Sequence, residues 1–486
     1  MAITNGNRKL LDPKRWEFMC LNPIGNTVDG SVVASSRHHK QRQFFIYNAT
    51  NVAMYNPEED GWVYLPNPSF SNWGIGACAI TTSWSTGNKL GVSSLSAIGG
   101  SVSSIQTDQF FARELSGYDV HILEGPNAGK FLEIKSTSVG PSSILTFDVQ
   151  PSAFDSTTRF RLLTPRVYGI TNGTIASGTS FKFYDFATNT WVGLAVAGFH
   201  TSVGTDARLI ATPSLDYNDL FFHSFVATAA NSNQIENSSA NWAASSWSNY
   251  QIRIASGTGA GQIYPIATND ASTLTISGTW AITPSTDSSA VLEGCDDFLY
   301  YIGNNSVALY RYRISTNTWS LITPTVARLN TPANGLGGNW VHSVTDPTWN
   351  DPNNIKNGRY IYSFRANSTG GLDIYDIALN RWENNHPYAP GFVGAVSGTL
   401  DTFSTGTKYC YNKNFIYITK ENSGRFFKFD IHRREMIPWG FLMYPQSTVR
   451  TGDTLFDVMF KEGNTELTYM YFIPNSLNSL FRCMDI

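Results

Sequence analysis

The sequence predicts an all-β protein, a six-bladed β-propeller closed by its N-terminal strand and carrying two small β-domain insertions. Three observations predict it. A short aromatic, acid and tryptophan motif recurs along the 486 residues, the two end copies are complementary fragments, and two gaps between copies are stretched by segments that resemble each other. Composition agrees: aromatics make up 14% of the chain and charged residues only 15%, with Gly, Ser, Thr and Asn dense throughout. That mixture favours short strands and tight turns over helices.

The fullest copy of the motif is Phe183-Tyr184-Asp185-Phe186-Ala187-Thr188-Asn189-Thr190-Trp191. Other copies pair Tyr55-Asn56 with Trp62, Tyr312-Arg313 with Trp319, Tyr375-Asp376 with Trp382 and Phe429-Asp430 with Met436; in each, the bulky residue follows the acid position by six. Before each copy stands an aromatic strand: Phe44 to Tyr47, Arg166 to Ile170, Phe298 to Tyr301, Arg359 to Tyr362 and Phe415 to Ile418. Gly/Asn/Ser turns separate these strands from the motif, so the unit reads strand, hairpin, strand, turn, strand. An Asp or Asn before the last turn accepts hydrogen bonds from the turn's own amides. Trp then opens the next strand and packs over the aromatic ladder.

A sixth unit begins at Tyr469 to Ile473 and reaches its acid position at Asp485 without a following tryptophan. Near the other end, Trp16 in Lys14-Arg15-Trp16-Glu17-Phe18 has no acid-bearing strand before it. An N-terminal strand that completes the last sheet joins the two fragments, closes the ring and hides two sheet edges.

From Trp62 to Trp191 and from Trp191 to Trp319 is almost 130 residues each, about twice the spacing of the other copies. The extra segments are parallel in sequence: Tyr118-Asp-Val-His-Ile122 with Gly125 and Gly129 matches Tyr250-Gln-Ile-Arg-Ile254 with Gly257 and Gly261. The expected division is propeller over 1–96, a first inserted β domain over 97–165, propeller over 166–221, a second inserted β domain over 222–294, and propeller over 295–486. Equivalent placement puts both inserts side by side on one rim.

The motif resembles that of Kelch-type propellers, whose blades carry a tyrosine-aspartate, a Thr/Asn-rich turn and a tryptophan; Tyr184-Asp185 to Trp191 and Tyr375-Asp376 to Trp382 match best. The chain departs from that pattern in lacking the usual Gly-Gly pair and in placing Arg313 at an acid position. The repeat residues Trp16, Asn56, Trp62, Asp185, Trp191, Trp319, Asp376, Trp382, Asp430 and Asp485 are expected to build the ring. A side chain copied once per unit is structural, since a reaction needs its group once.

No catalytic, metal or cofactor site is expected. A formal net charge of -3 offers no general attraction to nucleic acid or anionic membrane. The longest apolar runs fall far short of the roughly 20 residues that span a bilayer, so no membrane insertion is expected. The first residues lack the apolar run of a signal peptide, which points to synthesis in a cytoplasm. Five dispersed cysteines without a CxxC read as buried free thiols. Gly125-Pro-Asn-Ala-Gly129-Lys130 lacks the spacing, the Lys-Ser/Thr pair and the helix of a phosphate loop and reads as a hairpin turn. Arg37-His38-His39-Lys40-Gln41-Arg42 reads as a charged hairpin tip. Tyr409-Cys410-Tyr411 reads as part of a core strand, and the boxes of sialidases and the ligand set of copper-radical oxidases are missing.

The inserted Tyr-x-Ile-x-Ile-x-x-Gly-x-x-Ala-Gly type of repeat is similar to modules of bacteriophage structural proteins, and the whole resembles propeller-containing nozzle proteins of tubular phage tails. The resemblance implies a virion tail component made in the host cytoplasm. Its partners would be other tail proteins and copies of itself, with DNA passage through an assembled channel. A second reading is a receptor or glycan adhesin that stacks sugars on Trp242 and Trp247 of the second insert; a propeller oxidase or glycoside hydrolase is the third.

Overall fold

A computed structural model describes residues 16–21, 32–35, 42–74, 76–82, 95–203, 207–212, 221–248, 250–293, 298–303, 307–329, 340–344, 360–364, 371–377, 379–387, 408–412, 415–419, 425–430, 435–441, 453–462, 465–474 and 479–485. Among the described residues there is no helix; the chain is all-β and its strand pairs are antiparallel.

Among the described residues, six four-stranded sheets follow one another in chain order. The first is Val32–Ser35, Gln43–Ile46, Val52–Asn56 and Gly61–Leu65. The second is Cys78–Thr82, Arg166–Ile170, Phe181–Asp185 and Thr190–Gly193. Arg208–Thr212, Phe298–Ile302, Leu309–Arg313 and Thr318–Ile322 make the third. Trp340–Val344, Tyr360–Phe364, Gly371–Asp376 and Arg381–Pro387 make the fourth. The fifth is Lys408–Asn412, Phe415–Thr419, Arg425–Asp430 and Glu435–Phe441. The sixth takes Thr454–Glu462, Thr465–Ile473 and Ser479–Asp485, and its outer strand is Glu17–Leu21 from the start of the chain. Phe18 lies opposite Phe481 and Glu17 opposite Arg482, so the two chain ends complete one sheet.

Both faces of these sheets are apolar, because successive strand residues point to opposite sides and both sides meet a neighbouring sheet. Phe44 and Ile46 of the first sheet pack with Val167 and Tyr184 of the second, while Phe45 packs with Phe456 and Tyr471 of the sixth. Tyr168 and Phe181 of the second sheet meet Tyr301 and Tyr312 of the third. Tyr300 of the third shares a core with Ile361 and Tyr375 of the fourth. Tyr362 of the fourth lies 6.2 Å from Phe429 of the fifth. Tyr417 and Phe426 of the fifth pack with Met470 and Phe472 of the sixth, where Trp16 also seats. Consecutive sheets are therefore face to face around the whole set, a propeller-like arrangement.

Between the first and second strands of the second sheet, the chain builds a seven-stranded sheet over residues 95–163; the same happens in the third sheet over residues 221–293. The end strands of the first of these sheets are Phe131–Glu133 and Ser136–Thr137, successive pieces of one bent stretch. Within the bend, the Ile134 amide donates to the Tyr118 carbonyl on one side and the Lys135 amide to the Thr146 carbonyl on the other. The sheet thus closes on itself as a small barrel around Ile105, Val120, Ile122 and Leu145. In the second insert the same closure runs through Phe221–Val226 and Ala229–Ala230, where the Ala227 amide donates to the Ser288 carbonyl and the Thr228 amide to the Glu236 carbonyl.

Candidate functional site: the paired barrels

The repeat motif is spent on framework. Each motif Tyr lies directly opposite its Trp in register: Tyr55 with Trp62, Tyr184 with Trp191, Tyr312 with Trp319 and Tyr375 with Trp382. The acid position caps the turn between them, with Asn56 Oδ1 accepting from the Glu58 amide, Asp185 Oδ1 from Ala187 and Asp376 Oδ1 from Leu379. Sequence reasoning missed a further member two residues before each Trp. Asp60, Asn189, Asn317 and Asn380 have φ of 48°, 58°, 52° and 49°, and each accepts a hydrogen bond from the motif tyrosine hydroxyl at 2.7–2.9 Å. Asn and Asp are the side chains that tolerate this left-handed backbone. The signal was present as the recurring Thr-Asn-Thr of two copies.

Each of the four motif tryptophans is covered by the outer strand of the preceding sheet or by the segment that leaves it. Trp62 Nε1 lies 3.2 Å from Cys20 Sγ, Trp191 Nε1 donates to the Pro66 carbonyl, and Trp319 packs 4.4 Å from Phe199. Trp382 receives the 323–329 segment: its amide donates to Val326, and the Arg328 guanidinium lies over its ring. Arg328 also forms a fully buried ion pair with Asp373 at 3.0 Å and donates to Ser363 at 2.8 Å.

Among the described residues, the barrels carry no copy of the motif. The first barrel is joined to the second sheet at the motif turn: the Ala112 amide donates to Ala187, and Arg113 reaches Tyr184 Oη at 3.0 Å and Asn189 Oδ1 at 2.8 Å. Phe186 and Ala187 are buried there, and the barrel's apolar core is continuous with that between the first two sheets. The second barrel keeps a core of its own.

The barrels meet through equivalent surfaces. A methyl group on Gly129 would collide with the Ala255 carbonyl oxygen, and one on Gly261 with that of Leu123. These positions correspond in the two copies, Leu123 to Ala255 and Gly129 to Gly261, each offset by 132 residues. The contact is therefore isologous, a pseudo-two-fold junction inside one chain. Both glycines also have positive φ, 84° and 91°. Near the pseudo-axis, His121 is fully buried, stacks on Phe131 at 4.2 Å and accepts at Nδ1 from Arg161 Nε at 3.2 Å. Arg253, the counterpart of His121, reaches across to lie 4.6 Å from the Phe131 ring centre. Burial first, then the Arg161 and Arg253 charges, hold the His121 pKa well below its ordinary value.

Several expectations change. Trp242 and Trp247 do not form a stacking surface: both are buried in the second barrel beside Phe225 and Tyr250, 8% and 2% exposed. The Asn269 side chain folds their loop inward, accepting from the Trp247 amide and donating to Ala243. Arg42 is not part of an exposed basic tip; it is buried, bonded to Asn56 and 3.7 Å from Glu58. Residues 37–41 lie outside the described residues, as do Cys295 and the side chains of Cys410 and Asp485. Gly125 to Lys130 is a hairpin turn, with Lys130 Nζ bonded to Asn127 and Gln150. Cys78 and Cys483 are buried free thiols, and Cys20 is only partly covered. Among the described residues, no group of three His, Cys, Asp or Glu could hold a metal ion, and no helix is long and apolar enough to cross a membrane.

No family model matches the chain. No curated protein matches it either. Among solved structures it is similar to a fucose-specific lectin from Aleuria aurantia, at 9% identity over 95% of this chain and 94% of that one, with a TM-score of 0.38. A protein of unknown function from Bacteroides thetaiotaomicron matches at 11% identity over 77% of this chain and 66% of that one, TM-score 0.24. Kuenenia stuttgartiensis hydrazine synthase matches at 10% identity over 37% of this chain and 43% of that one, TM-score 0.22. Superpositions at this level carry neither activity nor ligand across.

Proposed function

We propose that this chain is a non-enzymatic structural protein whose six-bladed, Kelch-like propeller is a rigid scaffold for subunit contacts, and that it serves in a bacteriophage virion as a nozzle-like or nozzle-attached tail component. The observation that supports the scaffold reading is packing that runs without a break through the described residues. Strands from both ends of the chain share one sheet, the first barrel shares the apolar core between the first two sheets, and the second barrel abuts the first backbone to backbone. Such a body holds two faces at fixed separation, which is what repeated contacts in a symmetric assembly require. The motif acids and tryptophans are consumed in turns and inter-sheet packing. The virion setting rests on the resemblance of the inserted repeats to phage structural modules. Its partners are copies of itself and other tail proteins, and a ring of such copies would leave a channel through which DNA could pass.

Electron microscopy and mass photometry of the purified chain test this reading. Rings or multimers of defined copy number support it. Monomers at micromolar concentration that are retained on immobilised fucose or other glycans would overturn it in favour of an adhesin.

A further inference from the structure

The junction between the barrels contains one titratable group where its symmetry mate is a permanent cation. On the first barrel His121 sits between two cross-strand partners, Phe131 on one side and Arg161 on the other. On the second barrel Arg253 occupies the same place, between Ile263 and Val291. Side chains directly opposite on one face of an antiparallel pair are in contact, so His121, Phe131, Arg161 and the incoming Arg253 form one layer.

The remaining charged groups around it are few. On the strand of His121, Asp119 is buried on the same face and Glu124 lies exposed at the end. The strand carrying Arg161 also carries Arg159, bonded to Ser96. Glu133 and Lys130 on the Phe131 side are directed elsewhere, Glu133 to Lys135 at 3.2 Å and Lys130 to Asn127 and Gln150. The second barrel presents Arg253 and, where the first has Asp119, the neutral Gln251.

Chemistry sets the state of the imidazole. Nδ1 accepts from Arg161, so the ring proton is on Nε2 and the ring is neutral. A second proton would go to Nδ1, abolish that hydrogen bond and place a new positive charge, fully buried, beside two guanidiniums. We propose that His121 is an acid-sensitive clasp: neutral, it seats the second barrel on the first; protonated, it releases the second barrel while the first stays fixed to the ring. The asymmetry follows from packing, since the first barrel shares the ring's core and the second has its own. A group whose pKa is depressed by burial and by neighbouring cations stabilises the closed junction fully above its ordinary value of 6.5. That contribution drains away as pH falls below it, by about tenfold in the closed-to-open ratio per pH unit for one proton. This inference concerns the junction alone and stands whether or not the chain assembles into a virion.

Hydrogen exchange of the full chain, corrected for intrinsic rate, at about pH 7.5 and about pH 4.5 tests it. Segments 125–131 and 253–262 are expected to lose protection in acid by tenfold or more, while the six sheets keep theirs. His121→Asn places a non-titrating acceptor near Nδ1 and is expected to remove the pH dependence. Arg253→Gln, which takes away one of the two cations, is expected to move the loss to lower pH. Equal acid responses in the parent and both variants, or loss of protection throughout the molecule at once, would overturn the proposal.

Discussion

At the scale of single residues, the left-handed Asn or Asp two residues before each motif tryptophan does two jobs at once. It takes a backbone conformation that costs most residues about 1–2 kcal/mol, and it accepts the hydroxyl of a buried tyrosine. Asn317 Oδ1 receives both Tyr312 Oη, at 2.7 Å, and the Ala195 amide from the segment leaving the preceding sheet, at 3.1 Å. Asn317→Ala is expected to lower unfolding free energy by about 2–4 kcal/mol, backbone strain and stranded donors together. Asn317→Gly restores the backbone but not the acceptor and should recover only part, as read from denaturant unfolding. A loss within about 0.5 kcal/mol for Asn317→Ala would make the residue ordinary turn filling. Gly261 poses the opposite constraint, since space and conformation both exclude a methyl group. Gly261→Ala is expected to cost about 2–5 kcal/mol and to raise exchange in 125–131, whereas Gly278→Ala, which meets nothing within 4 Å, is expected to leave that segment protected.

At the scale of elements, the closing strand shows what a sequence can and cannot disclose. Trp16 packs edge-on against Phe426 of the fifth sheet and Phe472 of the sixth, at 6.1 and 5.8 Å. Trp16→Ala is expected to cost about 3–5 kcal/mol, and Leu21→Ser, at a side chain 67% exposed in the same strand, less than about 0.5 kcal/mol. Similar losses for both would mean that the strand contributes backbone pairing alone. The pairing of Tyr with Trp was legible because register fixes it: six residues from acid to Trp leave room for one tight turn. Arg313 breaks the acid pattern without breaking the turn, because the Tyr312 to Asn317 bond persists. The barrels were legible as copies but not as closed bodies, since closure depends on one bend between Phe131 and Thr137 that no residue type announces. Gly129 and Gly261 read as turn glycines; that they also admit a neighbouring barrel is a tertiary fact. Trp242 and Trp247 misled for the same reason. Sugar stacking needed both rings exposed, and the inward fold of the loop around Asn269 buries them.

At the scale of the whole molecule, the buried hydroxyls and thiols set an alkaline limit to stability. Burial pushes the Cys78 and Cys483 thiols up to about 12, and Cys20, partly covered beside Trp62, likewise to about 12. Tyr184 and Tyr471 are pushed up to about 12, again chiefly by burial, and Tyr55, Tyr301 and Tyr375 are raised in the same sense. These groups are neutral when protonated, and their folded pKa values lie above the unfolded ones of 9.0 for Cys and 10.0 for Tyr. Their contribution is therefore complete below about pH 9 and is lost as pH rises toward about 12. They sit in the first, second, third, fourth and sixth sheets, so the loss is spread over most of the four-stranded sheets, unlike the local release expected of His121 in acid. Melting temperature is expected to hold between about pH 7 and pH 8.5 and to fall steadily by about pH 10.5, with Cys78 and Cys483 inaccessible to a thiol reagent until the ring opens. Peptide mapping after labelling at about pH 8 reads the second point directly. Rapid modification of both cysteines in protein that still melts cooperatively would place them at a surface and remove the ring packing on which the alkaline limit depends.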